Sequence, residues 1–204
     1  MTIKAAIEAF LPEAIGWRQA FHRQPELGFE VHRTAARVAE LLRSFGCDVV
    51  ETGIGQTGVV AVIKGQGPGR GIGLRADMDA LPITEETGLA HGSEVPGRMH
   101  ACGHDGHTAM ALAAAKYLAG TRNFSGQAVM VFQPAEEDGG GARAMVADGL
   151  MGRFGIDEVY GLHNIPGLAV GAYATRPGPI MAAADMFRIV LTGRGGHAAQ
   201  PHLT

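Results

Sequence analysis

The chain has 204 residues, of which 46% are hydrophobic and 18% charged, a balance that is typical of a folded globular protein and excludes a disordered one. The net charge of -3 at pH 7 comes without a cluster of Lys and Arg, which argues against nucleic acid or an anionic membrane as a partner and favours a small-molecule substrate. No stretch of about 18 apolar residues predicts a membrane span, and Glu8, Pro12 and Glu13 interrupt any N-terminal signal sequence, so we expect a cytoplasmic protein without a disulfide.

The N-terminal part of the chain predicts two helices followed by strands. Apolar residues recur at helical spacing from Ile3 to Phe21 and predict an amphipathic helix that opens the chain. Thr34 is a candidate N-cap for a second helix, and Gly46 is the candidate residue at its C-terminal end. The next three β-rich runs predict an antiparallel start to a sheet: Cys47–Glu51, Gly58–Lys64 and Gly71–Ala76.

Helices and strands then alternate, which predicts parallel strands with helices on the sheet faces. The predicted order is a helix at Asp105–Leu118, a strand at Gln127–Gln133, a helix at Gly141–Ala147 and a strand at Glu158–His163. We therefore predict an α/β fold with a mixed, mainly parallel sheet flanked by helices. The pattern changes near Gly178, before a new apolar run at Ala182–Leu191, so we predict a domain boundary there.

One eight-residue segment, His100 to His107, holds a thiol, three imidazoles and a carboxylate. A buried thiol beside a surface histidine is the alternative interpretation, but packing does not require such a density of these groups. Gly103 allows the backbone to turn freely, so Cys102 and His104 can direct sulfur and nitrogen at one metal ion. The segment is interpreted as half of a metal site.

The other polar residues near this motif have roles that the sequence leaves open. His100 and His107 are equally compatible with binding a metal and with orienting the residues that bind it. Asp105 stands where a helix N-cap is expected. Asp77 and Asp79 follow a predicted strand, and Asp79 is a candidate for holding a ligating group in place.

Further candidates follow two of the predicted strands. Glu136 and Glu137 follow the apolar run that ends at Gln133, and His163 ends the next predicted strand. In open α/β sheets the ligand crevice lies at the carboxyl ends of the strands, so we expect these residues to meet the cysteine motif there. One of the two glutamates would ligate the metal and the other would take a proton from water. His163 is the natural further nitrogen ligand.

With these motifs the chain resembles the metal-dependent amidohydrolase family of hippurate hydrolases, N-acyl-amino-acid amidohydrolases and indole-acetyl-amino-acid conjugate hydrolases. That family belongs to the dinuclear metallopeptidases of the aminoacylase and carboxypeptidase-G type. The resemblance covers nearly the whole chain and is carried by these segments besides the cysteine motif: Phe21–Leu27, Leu74–Pro82, Gln133–Glu137, Gly161–His163 and Gly196–His202.

The resemblance implies hydrolysis of the amide bond of an N-acyl amino acid, with Glu136 as the general base. It implies two divalent metal ions, of Zn, Mn, Co, Ni or Fe, and the ligands Cys102, His104, Glu137 and His163. Asp79 and Asp105 would support the ligands without binding metal. Residues 1–178 would form the N-terminal part of the catalytic domain, and residues 179–204 the beginning of a smaller α+β lid or dimerisation domain. From that domain His197 would reach the substrate carbonyl of the neighbouring subunit in a homodimer.

The chain departs from the family pattern in two ways. Asp138 stands where similar sequences commonly have glycine, and similar proteins continue past Thr204 to supply a last histidine ligand. We therefore expect a truncated chain that is catalytically incomplete. Two other functions are compatible with the motifs: a cysteine hydrolase with Cys102 as the nucleophile and a histidine as its base, and a non-catalytic metal-binding fragment.

Overall fold

The computed structural model describes residues 2–137, 139–182, 185 and 187–203. The chain divides into two compact units, Met1–Asn164 and Ile165–Thr204. The described residues of the first unit form six helices, in chain order α1 Ile3–Glu8, α2 Leu11–Arg23, α3 His32–Ser44, α4 His104–Thr121, α5 Gly141–Ala147 and α6 Leu150–Phe154. Its five strands are β1 Val49–Ile54, β2 Gly58–Lys64, β3 Gly71–Asp77, β4 Gln127–Gln133 and β5 Glu158–Gly161.

The five strands form one mixed sheet in the order β1-β2-β4-β3-β5. β1 pairs with β2, and β2 with β4, in antiparallel fashion, whereas β3 runs parallel to both β4 and β5. The parallel strands β3, β4 and β5 therefore deliver their carboxyl ends to the same edge of the sheet. The predicted fold class, α/β with a mixed sheet flanked by helices, is confirmed. Two of the four strand pairs are parallel and two antiparallel, so the sheet is evenly mixed and not mainly parallel as predicted.

Two apolar clusters flank the sheet. The larger one joins the helices α2, α3 and α4 to one sheet face through residues such as Leu42, Leu112 and Phe132. The smaller one packs Met145 and Phe154, from α5 and α6, on the other face. Burial on both faces explains why β2 and β4 are continuous apolar runs in the sequence.

The predicted opening helix is in fact two helices. α1 ends at Glu8 and α2 begins at Leu11, with Pro12 in its first turn. Proline lacks the backbone N–H that would bond to the carbonyl of residue 8, and its ring clashes with that carbonyl, so a continuous helix is disfavoured. Pro12 is tolerated at the start of α2, where an N–H has no helical partner.

The predicted N-cap at Thr34 is wrong, because α3 begins at His32 and Thr34 lies inside it. A carboxylate from outside the helix replaces the side-chain cap: Glu26 accepts the backbone N–H groups of Arg33 and Thr34 at 3.1 and 2.8 Å. Thr34 also donates its hydroxyl to Glu26 at 2.9 Å. The predicted end of the helix is confirmed, since Gly46 follows it with a left-handed φ of 81°.

The second unit contains a short 3-10 helix at Pro201–Leu203. The strand predicted for Ala182–Leu191 falls partly on residues 183, 184 and 186, which lie outside the described residues. The described residues of that run are exposed and form no strand, because none of them has a strand partner within the described part of the chain. The boundary near Gly178 between a catalytic and a lid domain stays a prediction.

Two further features bear on the sequence predictions. Within the described ranges, no helix combines the length and the apolar character that crossing a bilayer demands. Cys47 and Cys102 are free thiols.

Candidate metal centre

His104 lies at the centre of a polar cluster at the carboxyl ends of the parallel strands. It is the first residue of α4 and its side chain is fully buried. Gly103, the residue before the helix, has a φ of 94°, a left-handed conformation that glycine adopts readily. This turn separates the backbone of Cys102 from the helix and places His104 beneath the sheet edge.

Four carboxylates surround the His104 ring at distances longer than hydrogen bonds. Nδ1 lies 3.5 Å from Asp79, and Nε2 lies 3.6 Å from Asp77, 3.7 Å from Glu137 and 3.9 Å from Glu136. Both ring nitrogens and the Glu137 Oε1 atom are buried and have no hydrogen-bond partner among the residues that the structure describes. Buried polar atoms are normally paired, so this cluster is incomplete as the protein atoms stand.

Cys102 and His163 meet on the open side of the cluster. The Cys102 Sγ atom lies 3.4 Å from His163 Nε2, and the His163 ring lies at a right angle to that of His104, with the ring centroids 6.4 Å apart. Zinc bonds of about 2.3 Å to sulfur and 2.0–2.1 Å to nitrogen, at a tetrahedral angle, separate the two ligand atoms by about 3.5–3.6 Å. The observed spacing fits a shared metal ion.

Three triads in this cluster have ligand atoms within 4.8 Å of one another: Cys102–His104–His163, Asp77–His104–His107 and His104–Glu136–Glu137. His104 belongs to all three. The structure thus brings together the five residues that the sequence assigned to metal ligation and proton transfer. Thiolate, imidazole and carboxylate together form a donor set that suits a divalent transition-metal ion.

The charges of the cluster make the thiol a poor acid without a cation. Burial, and then the charges of Glu137 and Glu136, raise the pKa of Cys102 to about 12. Burial also raises the pKa of the Glu137 carboxyl. A bound cation would reverse both effects, because metal coordination deprotonates a thiol. The residues present therefore fit a divalent ion.

Asp79 holds the two glutamates in place. Its carboxylate accepts the backbone N–H of Glu136 at 2.9 Å and that of Glu137 at 3.2 Å, while it also lies beside His104. The residue before the pair, Ala135, is buried and has a φ of 48°, which is uncommon for a residue other than glycine. The left-handed backbone of Ala135 and the two hydrogen bonds to Asp79 therefore determine where the glutamates start. Support of the ligands by Asp79 stays a prediction.

Asp77 and His107 form a second layer beside the cluster. His107 Nδ1 donates to Asp77 Oδ1 at 2.7 Å, and Arg75 donates to the other oxygen at 2.7 Å. Burial by itself would raise the pKa of Asp77, but the His107 hydrogen bond and the Arg75 charge lower it to about 2. On its other side His107 Nε2 contacts Asn164. Of the two roles left open for His107, these contacts match that of orienting other residues.

The predicted N-cap role of Asp105 is wrong, because Gly103 takes that position and Asp105 lies inside α4. Its carboxylate accepts hydrogen bonds from Arg18 at 3.0 Å and from His22 at 2.9 Å. The other His22 nitrogen lies 3.2 Å from Glu85. None of these three partners is a ligand candidate, and support of His104 by Asp105 stays a prediction.

His100 is buried near this second network. Its ring centroid lies 6.3 Å from that of His22, and neither of its nitrogens has a hydrogen-bond partner in the described part of the chain. Burial lowers the pKa of His100 to about 4, so the ring is neutral at pH 7. The sequence offered no partner for His22, because Asp105 and Glu85 are 83 and 63 residues away from it.

His197 belongs to the second unit and forms a local turn, in which its Nδ1 accepts the backbone N–H of Ala199 at 3.2 Å. Its role at a substrate carbonyl stays a prediction. Asp138 lies outside the described residues. Asn164 was not selected from the sequence at all, although its position directly after the candidate ligand His163 was a signal that could have singled it out.

Comparisons with known proteins agree with this geometry. Residues 73–201 match the model of peptidase family M20/M25/M40, a range that includes the candidate ligands and Glu136. Among curated relatives, hippurate hydrolase from Campylobacter jejuni is 50% identical over 184 residues, covering 90% of this chain and 48% of the relative. An N-acyl-L-amino acid amidohydrolase from Geobacillus stearothermophilus is 45% identical over 204 residues, covering 99% of this chain and 54% of the relative.

A solved structure from Bacillus subtilis, described as a dinuclear metal-binding peptidase of the M20 family, is 40% identical to the chain with a TM-score of 0.76. The match covers 80% of this chain and 46% of that one. The chain therefore spans about half the length of the relatives that it matches. Sequence match, fold and polar cluster lead to one assignment: the chain belongs to peptidase family M20/M25/M40.

Proposed function

We propose that the chain provides the metal-binding and proton-transfer residues of an amidohydrolase that cleaves the amide bond of N-acyl amino acids. The observation that carries the proposal is the His104 cluster, in which nitrogen, oxygen and sulfur donors converge at ligand spacing and both His104 nitrogens and Glu137 Oε1 have no hydrogen-bond partner among the described residues. The relatives named hippurate hydrolase and N-acyl-L-amino acid amidohydrolase support the substrate class.

In this proposal Cys102, His104, Glu137 and His163 hold two divalent ions together with further ligands, and the identity of the metal is left open among Zn, Mn, Co, Ni and Fe. A divalent ion held there supplies Lewis-acid chemistry, which polarises a carbonyl oxygen and makes a water molecule more acidic. The ligand atoms of Cys102 and His163, and the carboxylate of Glu137, lie within 4.8 Å of His104 ring nitrogens.

Glu136 is the proposed general base. Its carboxylate lies within 3.9 Å of His104 Nε2 but its side chain is 40% exposed, whereas Glu137 is 21% exposed. The more exposed carboxylate can reach a water molecule and a substrate, and the more buried one is suited to ligation. Glu136 would take a proton from water as the oxygen attacks the amide carbon, then deliver it to the leaving amine nitrogen.

His197 would stabilise the oxyanion that forms at the substrate carbonyl, in a homodimer of the whole protein where the neighbouring subunit supplies it. This part of the proposal depends on the family resemblance and not on a contact in the first unit.

The cysteine hydrolase is the less favoured function. A nucleophilic cysteine needs a lowered pKa, which cationic neighbours or a helix N-terminus can supply. The pKa of Cys102 is instead raised to about 12 by burial and by Glu137 and Glu136. Sensitivity of turnover to a chelator, together with resistance to a thiol alkylating agent after metal loading, would separate the two mechanisms in favour of the metal enzyme.

Paired substitutions test how the two glutamates divide the work. With Zn or Mn supplied and a panel of N-acyl amino acids as substrates, Glu136→Gln should keep its bound metal and lose about 10²-fold to 10⁴-fold in turnover. Glu137→Ala should lose metal, and Glu30→Gln, at an exposed site outside the cluster, serves as the control. Equal metal loss in both variants would refute the division of roles. Stoichiometric metal without turnover in the unaltered protein would favour the non-catalytic metal-binding function.

A further inference from the structure

Asn164 makes four contacts at the edge of the metal centre, and none of them is to a proposed ligand atom that would bind the ion. Its backbone N–H donates to His107 Nε2 at 3.1 Å, and its side-chain amide contacts the same nitrogen. Its backbone carbonyl accepts a hydrogen bond from His163 Nδ1 at 2.5 Å. Its side chain also fills the space beside Gly103, where an added Cβ atom would collide with it.

The contact with His107 connects Asn164 to the core of the first unit. His107 is 3% exposed and is held by Asp77, which is 1% exposed and is in turn bonded by Arg75. The Asp77 backbone carbonyl also accepts the Thr108 hydroxyl at 2.8 Å. The chain of hydrogen bonds therefore runs from the end of β3, through the first turns of α4, to the loop after β5.

The contact with His163 determines which ring nitrogen is free. Because Nδ1 donates to the Asn164 carbonyl, Nε2 carries the lone pair, and this is the nitrogen that lies 3.4 Å from Cys102 Sγ. Metal-binding histidines commonly donate the other ring N–H to a carbonyl or carboxylate, which fixes the tautomer and the ring orientation. His163 is exposed, so without this support its side chain would keep its rotamer freedom.

The contact with Gly103 concerns the second ligand. Gly103 lies between Cys102 and His104 in a left-handed conformation, and the Asn164 side chain packs directly on it. One residue thus touches both the turn that presents Cys102 and the ring that presents His163.

We propose that Asn164 is a positioning residue that sets the spacing between Cys102 and His163 by joining His163 and Gly103 to the buried His107. The inference rests on the proposed metal centre and adds a residue that the ligand set does not include. Loss of an outer partner of this kind typically reduces metal affinity by about 10-fold to 100-fold.

Cobalt titration tests the inference without relying on turnover. Co²⁺ bound to a thiolate gives a charge-transfer absorption band, so the band reports whether Cys102 shares the ion, and the titration midpoint reports the affinity. Asn164→Ala keeps the backbone hydrogen bonds with His107 and His163 and removes the side-chain contacts with His107 and Gly103. Loss of these side-chain contacts should weaken Co²⁺ binding by about 10-fold or more and reduce this band. Asn123→Ala, at an exposed asparagine outside the cluster, should match the unaltered protein.

Two substitutions of His107 separate positioning from a general loss of structure. The amide of Gln reaches the place of Nε2 and can keep the Asn164 contact, whereas the amide of Asn reaches the place of Nδ1 and keeps only the Asp77 contact. His107→Gln should therefore stay within about 3-fold of the unaltered affinity, while His107→Asn should resemble Asn164→Ala with a loss of about 10-fold or more. Thermal unfolding of the metal-free variants identifies any that fail to fold.

The outcomes distinguish this inference from the proposed function. The same affinity and band in Asn164→Ala, His107→Asn and the unaltered protein would overturn the inference and leave the metal centre intact. Absence of the thiolate band in the unaltered protein would overturn the metal centre and the inference with it. A third outcome is the expected order of Co²⁺ affinities among the variants in a protein that hydrolyses no N-acyl amino acid. That result would refute the proposed reaction and support the role of Asn164.

Discussion

His104 and Asp105 are neighbours in the first turn of α4, yet they belong to two different polar networks. Around Asp105 and His22 the polar atoms lie 2.9–3.2 Å apart, at hydrogen-bond distance. Around His104 they lie 3.5–3.9 Å apart, too far for strong hydrogen bonds and close enough to share a ligand. The spacing of the atoms thus separates a network with internal hydrogen bonds, made through Asp105 Oδ2 and His22, from a cluster whose donor atoms lie at ligand spacing.

The charges of the two networks differ in the same sense. Burial by itself would raise the pKa of Asp105, but His100, Arg18 and His22 lower it, so the carboxylate has its own cationic or polar partners. Four carboxylates converge on His104, and of these Asp77 alone has an arginine partner among the described contacts. Asp105 and the carboxylates around His104 look alike in the sequence. The fold supplies the first with cationic partners and leaves most of the others without one among the described contacts, which suits the first to stabilising the fold and the others to binding a cation.

Removing one ligand should give the largest effect. Removal of a residue that only supports a ligand typically weakens metal binding by about 10-fold to 100-fold. Cys102→Ser should weaken zinc binding by more than this, because it removes a thiolate ligand itself. The free energy of unfolding without metal should change by less than about 1 kcal/mol, since the thiol is a weak hydrogen-bond donor and its contact with His163 joins an exposed side chain. Zinc titration and denaturant unfolding of the metal-free protein measure both quantities. A large loss of metal-free stability would show that Cys102 is structural.

The opposite pattern is expected for the neighbouring network. Asp105→Ala should lower the free energy of unfolding by about 1–3 kcal/mol, because it leaves the buried His22 Nδ1 without a partner. The exposed pair Arg37–Glu40 provides the control, and Glu40→Ala should cost less than about 1 kcal/mol. Metal affinity should change by less than about 10-fold, because about 10-fold is the smallest loss that is typical when a residue supporting a metal ligand is removed. A greater loss of affinity would show that Asp105 does support His104.

The smallest expected effect is on the free energy of unfolding at acidic pH. A hydrogen bond from Thr87 lowers the pKa of Glu85, and hydrogen bonds from Ser93 and His22 lower it further. Burial acts in the opposite direction, and the resulting pKa falls from 4.5 to about 2. A carboxyl whose pKa is lower in the folded state contributes stability above pH 4.5 and loses it as the pH falls towards 2. Glu85→Gln should therefore flatten the loss of stability in this pH range. Unfolding of the metal-free protein between pH 5 and about 2 measures it, and an unchanged slope would contradict the assignment.

The sequence predicted the five strands of the first unit and the members of the polar cluster, for a physical reason. Strands β2 and β4 are continuous apolar runs, and the polar residues that follow strand ends are forced to the same edge by parallel pairing. Sequence position alone therefore groups five residues: Cys102, His104, Glu136, Glu137 and His163. Their individual roles stay proposals, since spacing in the sequence does not determine which carboxylate faces the ion.

The errors arose where a distant residue competes with a local signal. Thr34 has the right side chain for an N-cap, but the carboxylate of Glu26 caps α3 one turn earlier. Asp105 has the right side chain as well, but Arg18 and His22 bind it inside α4. The role of Asn164 depends on His107, 57 residues away, and no local pattern contains that contact.

The order of the strands also has a consequence for how the molecule folds. The antiparallel strands β1 and β2 are neighbours in the sequence. β3, in contrast, pairs with β4, which lies more than 50 residues further along the chain, and with β5, which lies more than 80 residues further along. Pairing between such remote segments is slow, because a long loop must close before any contact rewards it. The ligand candidates come together only when this step is complete. Metal binding during refolding would therefore report when the last strand joins the sheet, and it would occur later than helix formation.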